Sequence, residues 1–318
     1  MNQNQHRIRK KLIMALIVIV VYLMFPFVLT MTVTGVIEDD ISDELITGRR
    51  IIVKYKNATK SVDINKFIVM VLANRLSQSS QIEVLKAESI MVRTDIYRIM
   101  DDQMSVDSTS LGMTFLTEKQ MKTLWGNDYE SNYNLISDCV SATSGRLINY
   151  NGRLIEARYT ELSNGNTLSG AEILGGDYTY LTKVSCPEDV KSPDYLCVST
   201  IAAKDFIKKM KSAYEDIGLS DSNPYQDIQI ASKTADGYVL KLQVGNVIMT
   251  GSKFAEILGI NSPCMQIEEL NGSIKITTKG KGDGFGVSIY TANQMAESGK
   301  TCDDILTTFY SGITFMSE

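Results

Sequence analysis

The chain has 318 residues, 44% hydrophobic and 22% charged, with a formal net charge of −5. That is ordinary globular composition, with enough length for one large domain or two modest ones with real cores. The acidic balance excludes a nucleic-acid partner of the usual kind, which needs a basic face.

The N-terminus, MNQNQHRIRKK, precedes a run without charge, LIMALIVIVVYLMFPFVLTMTV, at residues 12–33. As a helix it is long enough to cross a hydrocarbon core of roughly 30 Å. Arg7, Arg9, Lys10 and Lys11 precede it, and Glu38, Asp39 and Asp40 follow. That charge order predicts a cytoplasmic N-terminus at 1–11, a transmembrane signal anchor at 12–34 and an extracytoplasmic domain at 35–318. The location implied is a cell membrane, crossed once. Pro26 would kink the span, which a membrane tolerates. A cleaved signal peptide is the alternative, but the apolar core is long for one and TMTVTG is a weak cleavage site. The only histidine, His6, would lie on the cytoplasmic side. The outer domain therefore lacks histidine triads, ligands and bases.

Residues 36–62 read as a short linker and a strand, RRIIVKYK, with a polar turn at 57–60. Ile64, Phe67, Ile68, Val71 and Leu72 recur at helical spacing over 64–76. SQSSQ breaks that pattern and offers an N-cap to a second helix over 82–100, with Ile82, Leu85, Val92 and Ile96 on one face. Residues 101–135 are polar and read as a variable excursion. From 139 to 184, short β-rich runs alternate with NG and GG signals, as antiparallel hairpins do. A helix is expected over 202–217, strands over 226–279, and short helices at 292–298 and 303–309. Helices and strands mix without βαβ alternation, so the fold class is α+β.

Five cysteines (139, 186, 197, 264 and 302) cannot all pair within the chain, and no CxxC spacing suggests zinc. Cys186 and Cys197 would close the loop between them as a disulfide, or stay as thiols. No metal and no cofactor is expected. In GKGDGFGVSIYTANQMAESGK, residues 280–300, glycine falls at every second position from 280 to 286. A dinucleotide loop needs Gly-x-Gly-x-x-Gly within a βαβ unit, so these glycines serve tight backbone turns.

Three stretches in order carry a resemblance. They are DINKFIVMVLANRLSQSSQIEVLKAESIMVRT, then VSATSGRLINYNGRLIEARYTELSNGNTLSGAEILGGDYTYLTKV, then the glycine stretch with its tail DDILTTFYSGI. Together they resemble the SpoIID/LytB family, over about residues 52–312. The resemblance implies an extracytoplasmic domain acting on peptidoglycan glycan strands, with engulfment or cell-wall proteins as further partners. It also implies lytic transglycosylase chemistry. There one carboxylic acid protonates the glycosidic oxygen, then serves as base while the sugar's own 6-hydroxyl attacks the anomeric carbon. Paired-acid hydrolases, by contrast, need a second carboxylate.

The chain departs from the family at the sites that matter for this chemistry. Arg75 stands at the acid of the family's Ala-Ala-Glu-Met step, and a guanidinium cannot act as a general acid. Near a helix end it would also complement the helix dipole. Glu83 matches the glutamate before Ala-Leu-Lys-Ala, and Glu88 replaces a glutamine. Either is a candidate relocated acid, or a solvated helix-face charge, or a partner for Arg75 or Arg93. Phe285 stands for histidine and Asp283 for tryptophan, with two residues missing before Ser288. Asn164 replaces a glycine, while Ser163, Gly165, Thr167, Gly284 and Gly286 remain. Arg75, Ser163, Asn164, Gly165, Thr167, Gly284, Phe285, Gly286 and Ser288 form the expected glycan cleft. Three functions compete on these grounds: a glycan-binding wall protein with lost or altered chemistry, an active transglycosylase, and a scaffold without glycan affinity.

Overall fold

The computed structural model describes residues 36–38, 47–55, 58–76 and 81–318. These form two compact units. One comprises the described residues up to Asn74 together with Ile99–Tyr133, and the other comprises Arg75–Arg98 and Asn134–Glu318.

The first unit is built on a four-stranded sheet. Strands β1 (Val36–Glu38), β2 (Arg50–Tyr55) and β3 (Ala58–Asp63) lead to helix α1 (Ile64–Ala73). The polar stretch 58–60, expected as a turn, is the start of β3, because Lys54 and Tyr55 pair with Thr59 and Ala58 in an antiparallel ladder. Asp63 caps α1: its buried carboxylate accepts from Asn65 N at 2.8 Å and from Thr47 N at 2.9 Å. Helix α2 (Ile82–Met100) follows, most of it in the second unit, and then β4 (Ser105–Asp107), which pairs with β2 in parallel. The polar excursion is not structureless. It holds α3 (Glu118–Trp125), opened by a reciprocal capping box between Thr117 and Gln120, and α4 (Tyr129–Ala142).

In the second unit α4 ends where hairpins were expected to begin. Its last carbonyls are closed by a buried cation: Arg93 donates to Val140 O at 3.0 Å and to Thr143 O at 2.6 Å. Burial pushes the Arg93 pKa down to about 10, so it stays charged at neutral pH. The β-rich stretch is thinner than expected. It contains β5 (Arg146–Tyr150), β6 (Arg153–Leu154) and β7 (Tyr159–Thr160), then the one-turn helix α5 (Gly170–Ile173) and irregular chain. One core packs Val84, Ile90 and Met91 of α2 with Ile148, Tyr180, Phe285, Ile305 and Phe309.

A second core in the same unit lies under two small sheets. Strand β8 (Leu196–Ala202) leads into α6 (Ala203–Ala213), then β9 (Ile228–Lys233), β10 (Val239–Val244) and β11 (Val247–Thr250). Helix α7 (Gly251–Leu258) interrupts the expected strands, capped by Thr250 at its start and by Gly259, at φ 72°, at its end. Strands β12 (Met265–Leu270) and β13 (Ser273–Lys279) complete the sheet order β12-β13-β8. The chain closes with β14 (Val287–Ser288), α8 (Ile289–Glu297), α9 (Cys302–Phe309) and β15 (Thr314–Ser317). All five cysteines are unpaired, including Cys186 and Cys197.

The α+β class stands, but the expected transmembrane helix and single-pass membrane location need correction. Among the described residues no helix is long and apolar enough to cross a membrane. Helix α2 has 19 residues, but it carries Glu83, Lys86, Glu88, Arg93, Asp95 and Arg98. The run at residues 12–33, on which that expectation rested, lies outside the described residues.

The glycine stretch packs against β7 and its neighbours. Gly286 has φ 71°, and a Cβ there would run into the Arg158 carbonyl, since Val287 pairs with Tyr159 immediately after. Gly286→Ala should therefore lose about 2 kcal/mol or more, from left-handed strain plus the backbone clash. Urea unfolding of the two proteins checks this, and an unchanged midpoint would refute the close-packing account.

Candidate functional site

Arg75 follows α1 by two residues and sits against α2, the helix that carries the candidate acids. Its Nη1 lies 3.6 Å from Glu88 Oε1, and its guanidinium carbon lies 4.2 Å from the centre of the Tyr159 ring. A planar cation thus lies between an aromatic face and a carboxylate. The Glu88 side chain is only 4% exposed and that of Arg75 is 17% exposed, so the acid is covered and the arginine is partly exposed. Burial raises the Glu88 pKa, Arg75 opposes that rise, and nearby Glu161 adds to it. Burial also raises the Tyr159 phenol.

Glu83 lies in a different setting, five residues earlier on α2. It pairs with Lys86 at 2.6 Å and accepts from Cys302 N at 2.8 Å, at the first turn of α9. The Lys86 hydrogen bond lowers its pKa first, opposed by desolvation and reinforced by the Cys302 amide. A carboxylate held ionised at a helix start is a cap, poorly suited to donate a proton.

The other expected cleft residues are mostly buried. Asp189, fully buried, ties three segments together: its carboxylate accepts from Ser163 N and Ser288 Oγ, both at 2.7 Å, and from Thr291 Oγ1 at 2.6 Å. Thr167 is buried and donates to Thr182 O at 3.1 Å. Asn164 donates to Asp236 O at 2.6 Å, and Gly165 N donates to Ser163 Oγ at 3.1 Å. Gly284 packs against the Tyr238 ring. Phe285 lies in the core with Arg158 5.5 Å from its ring centre. The Arg158 guanidinium joins Glu156 at 2.9 Å to Asp283 at 3.1 Å. Burial raises the Asp283 pKa, chiefly opposed by the Phe285 amide and Arg158. The structure therefore brings Arg75, Glu88 and Tyr159 together, and leaves Glu83 apart from them. Sequence reasoning missed Asp189 because nothing near PEDVKSP marks a carboxylate as buried; only the contacts do. Tyr159 was legible only as part of a family landmark. Among the described residues no group of three acids, cysteines or histidines is placed to hold a metal ion.

A family model described as stage II sporulation protein (SpoIID) matches residues 54–150. The chain is 30% identical over 269 residues to stage II sporulation protein D of Bacillus subtilis (strain 168), covering 81% of this chain and 76% of the relative. The same protein of Bacillus amyloliquefaciens is also 30% identical, over 81% of this chain and 75% of the relative. The chain belongs to the SpoIID family. A more distant relative, an amidase enhancer of Bacillus subtilis (strain 168), is 23% identical over 78% of this chain and 40% of its own length. The residues matched by the SpoIID model include Arg75, Glu83 and Glu88 and end before the glycine stretch.

The raised Glu88 pKa has a signed consequence. A carboxyl that holds its proton more tightly when folded stabilises the fold at low pH, and that stabilisation is lost as pH rises through the folded pKa. Glu88→Gln keeps the shape without the titration. From about pH 4 to about pH 8, the stability of Glu88→Gln relative to the wild type should rise. Paired urea titrations across that range check it; a constant difference would mean that Arg75 fully offsets the burial.

Proposed function

We propose that this SpoIID protein is a sporulation-related cell-wall protein that binds peptidoglycan glycan strands at the Arg75–Tyr159 face, with the family's acid chemistry lost or altered. The observation that carries this reading is the exchange of positions at the site. An arginine, whose guanidinium cannot act as a general acid, is partly exposed, and the nearby carboxyl is covered beside it. A partly exposed cation stacked on an aromatic ring suits the hydroxyls and lactyl carboxylate of a glycan strand. Phe285 supports the same reading: an apolar core residue stands where the resemblance implies histidine. The names of the relatives, a stage II sporulation protein and an amidase enhancer, fit a cell-wall setting. Other wall or engulfment proteins are the further partners this reading allows.

The test is a pull-down on purified, stem-stripped glycan, with mass spectrometry of the supernatant for 1,6-anhydro ends. Wild type should be retained without releasing anhydro-sugar, and Arg75→Ala or Tyr159→Ala should weaken retention by about tenfold. Arg75→Glu should release no more anhydro-sugar than the wild type, because a general acid also needs its surroundings. Absence of retention would favour a scaffold without glycan affinity.

The raised Glu88 pKa favours one second reading, an active transglycosylase whose acid has moved one helix along. Release of anhydro-sugar by the wild type, abolished by Glu88→Gln in a folded protein, would establish it instead.

A further inference from the structure

The second unit carries a groove of about 370 Å³ that shares no residue with the Arg75–Tyr159 stack. It runs along β12, from Cys264 to Glu268, with Ile230 and Lys233 of β9 on the opposite side. Both strands are edges: the sheet orders are β11-β10-β9 and β12-β13-β8.

The backbone of β12 shows what this edge offers. Lys279 N donates to Cys264 O, and those two residues sit opposite each other one step before the Met265–Thr278 pair. Hydrogen-bonded pairs alternate along an antiparallel ladder, so Gln266 and Glu268 also bond inward to β13. Met265, Ile267 and Glu269 therefore turn their N–H and C=O groups away from β13. Tyr238 bridges Cys264 on that side, with Val239 N donating to Pro263 O at 2.9 Å, so the start of β12 is taken. Among the described residues no backbone partner takes up the outward groups of Ile267 and Glu269. The four residues from Ile267 to Leu270, at about 3.4 Å each, extend about 14 Å, room for a short extended segment.

The side chains set the chemistry of that segment. Ile230, Met265 and Ile267 give the groove an apolar side. The two acids that line it are already neutralised from outside: Asp236 by Lys183 at 2.6 Å and Glu268 by Lys275 at 2.9 Å. Lys233 and Lys279 also line the groove, with no ion pair of their own among the described residues. The surplus is positive, at both β9 and the end of β13.

We propose that the β12 edge is a docking site for an extended segment of a partner protein that alternates acidic and apolar residues and adds to the sheet as a strand. Main-chain hydrogen bonds to Ile267 and Glu269 supply affinity. Acidic side chains meeting Lys233 and Lys279 supply preference.

The full chain is titrated with a labelled, end-blocked hexapeptide of three Val–Asp repeats, and with a matching Val–Lys hexapeptide. Saturable binding of the acidic peptide, about tenfold tighter than the basic one, is expected. Amide NMR shifts should concentrate at Ile267 and Glu269. Lys233→Glu combined with Lys279→Glu should reverse the preference at unchanged Tm. Ile267→Pro removes one outward N–H without a bond to β13, and should weaken binding about tenfold. If that variant fails to fold, the charge-reversed pair still decides. Absence of saturable binding up to about 1 mM, equal binding of both peptides, or shifts away from β12 would overturn the proposal.

Discussion

Asp189 is the point on which the candidate site depends. Its carboxylate is fully buried and accepts from a backbone amide and two hydroxyls, one from the irregular chain just after β7 and two from the start of α8. A buried carboxylate is costly unless such donors surround it, and each donor is likewise costly to leave unmet. The three contacts therefore tie together segments far apart in sequence, over one hundred positions at the widest. The glycine stretch lies between those segments, and its glycines permit the close approach. At Gly280 a Cβ would come 2.5 Å from the Leu162 carbonyl, again on the chain beside β7.

On that framework the chemistry of the site turns on two residues of opposite charge. Arg75 brings a guanidinium to the site, while burial moves Glu88 toward its neutral form. Glu83 illustrates the alternative fate of an acid on the same helix. At the first turn of α9 it is held ionised by Lys86 and the Cys302 amide, and its contribution is to the packing of two helices. One helix thus carries two carboxylates pushed in opposite directions by their neighbours.

The second core of the same unit follows a different logic. Two three-stranded sheets bury Leu242, Val244, Ile274 and Ile276 against Phe206 and Phe254 of α6 and α7. Neither sheet is closed, so outer backbone groups remain at the β9 and β12 edges. Charge at those edges is one of the ways natural sheets limit indiscriminate pairing. Lys233, on the β9 edge, fits that protective role as well as a selective one.

Much of the fold was legible in the residues. The apolar spacing of α1 and α2, the α+β mixture and the three ordered stretches all rest on local pattern, which survives in a linear reading. Where local pattern and tertiary pairing disagreed, pairing won. Polar residues 58–60 became strand because β2 lies beside them, and the stretch after 139 stayed helical because Arg93 closes the end of α4. The capping box at Thr117 and Gln120 was a readable signal for α3 within a stretch that looked merely polar. The sequence alone also determined that position 75 holds a cation, since side-chain identity needs no neighbours. Which carboxylate meets that cation, which one caps a helix, and which one lies buried at Asp189 were decided only by the tertiary structure. Proton affinity and hydrogen bonding depend on distance and burial, and neither is a property of order along the chain.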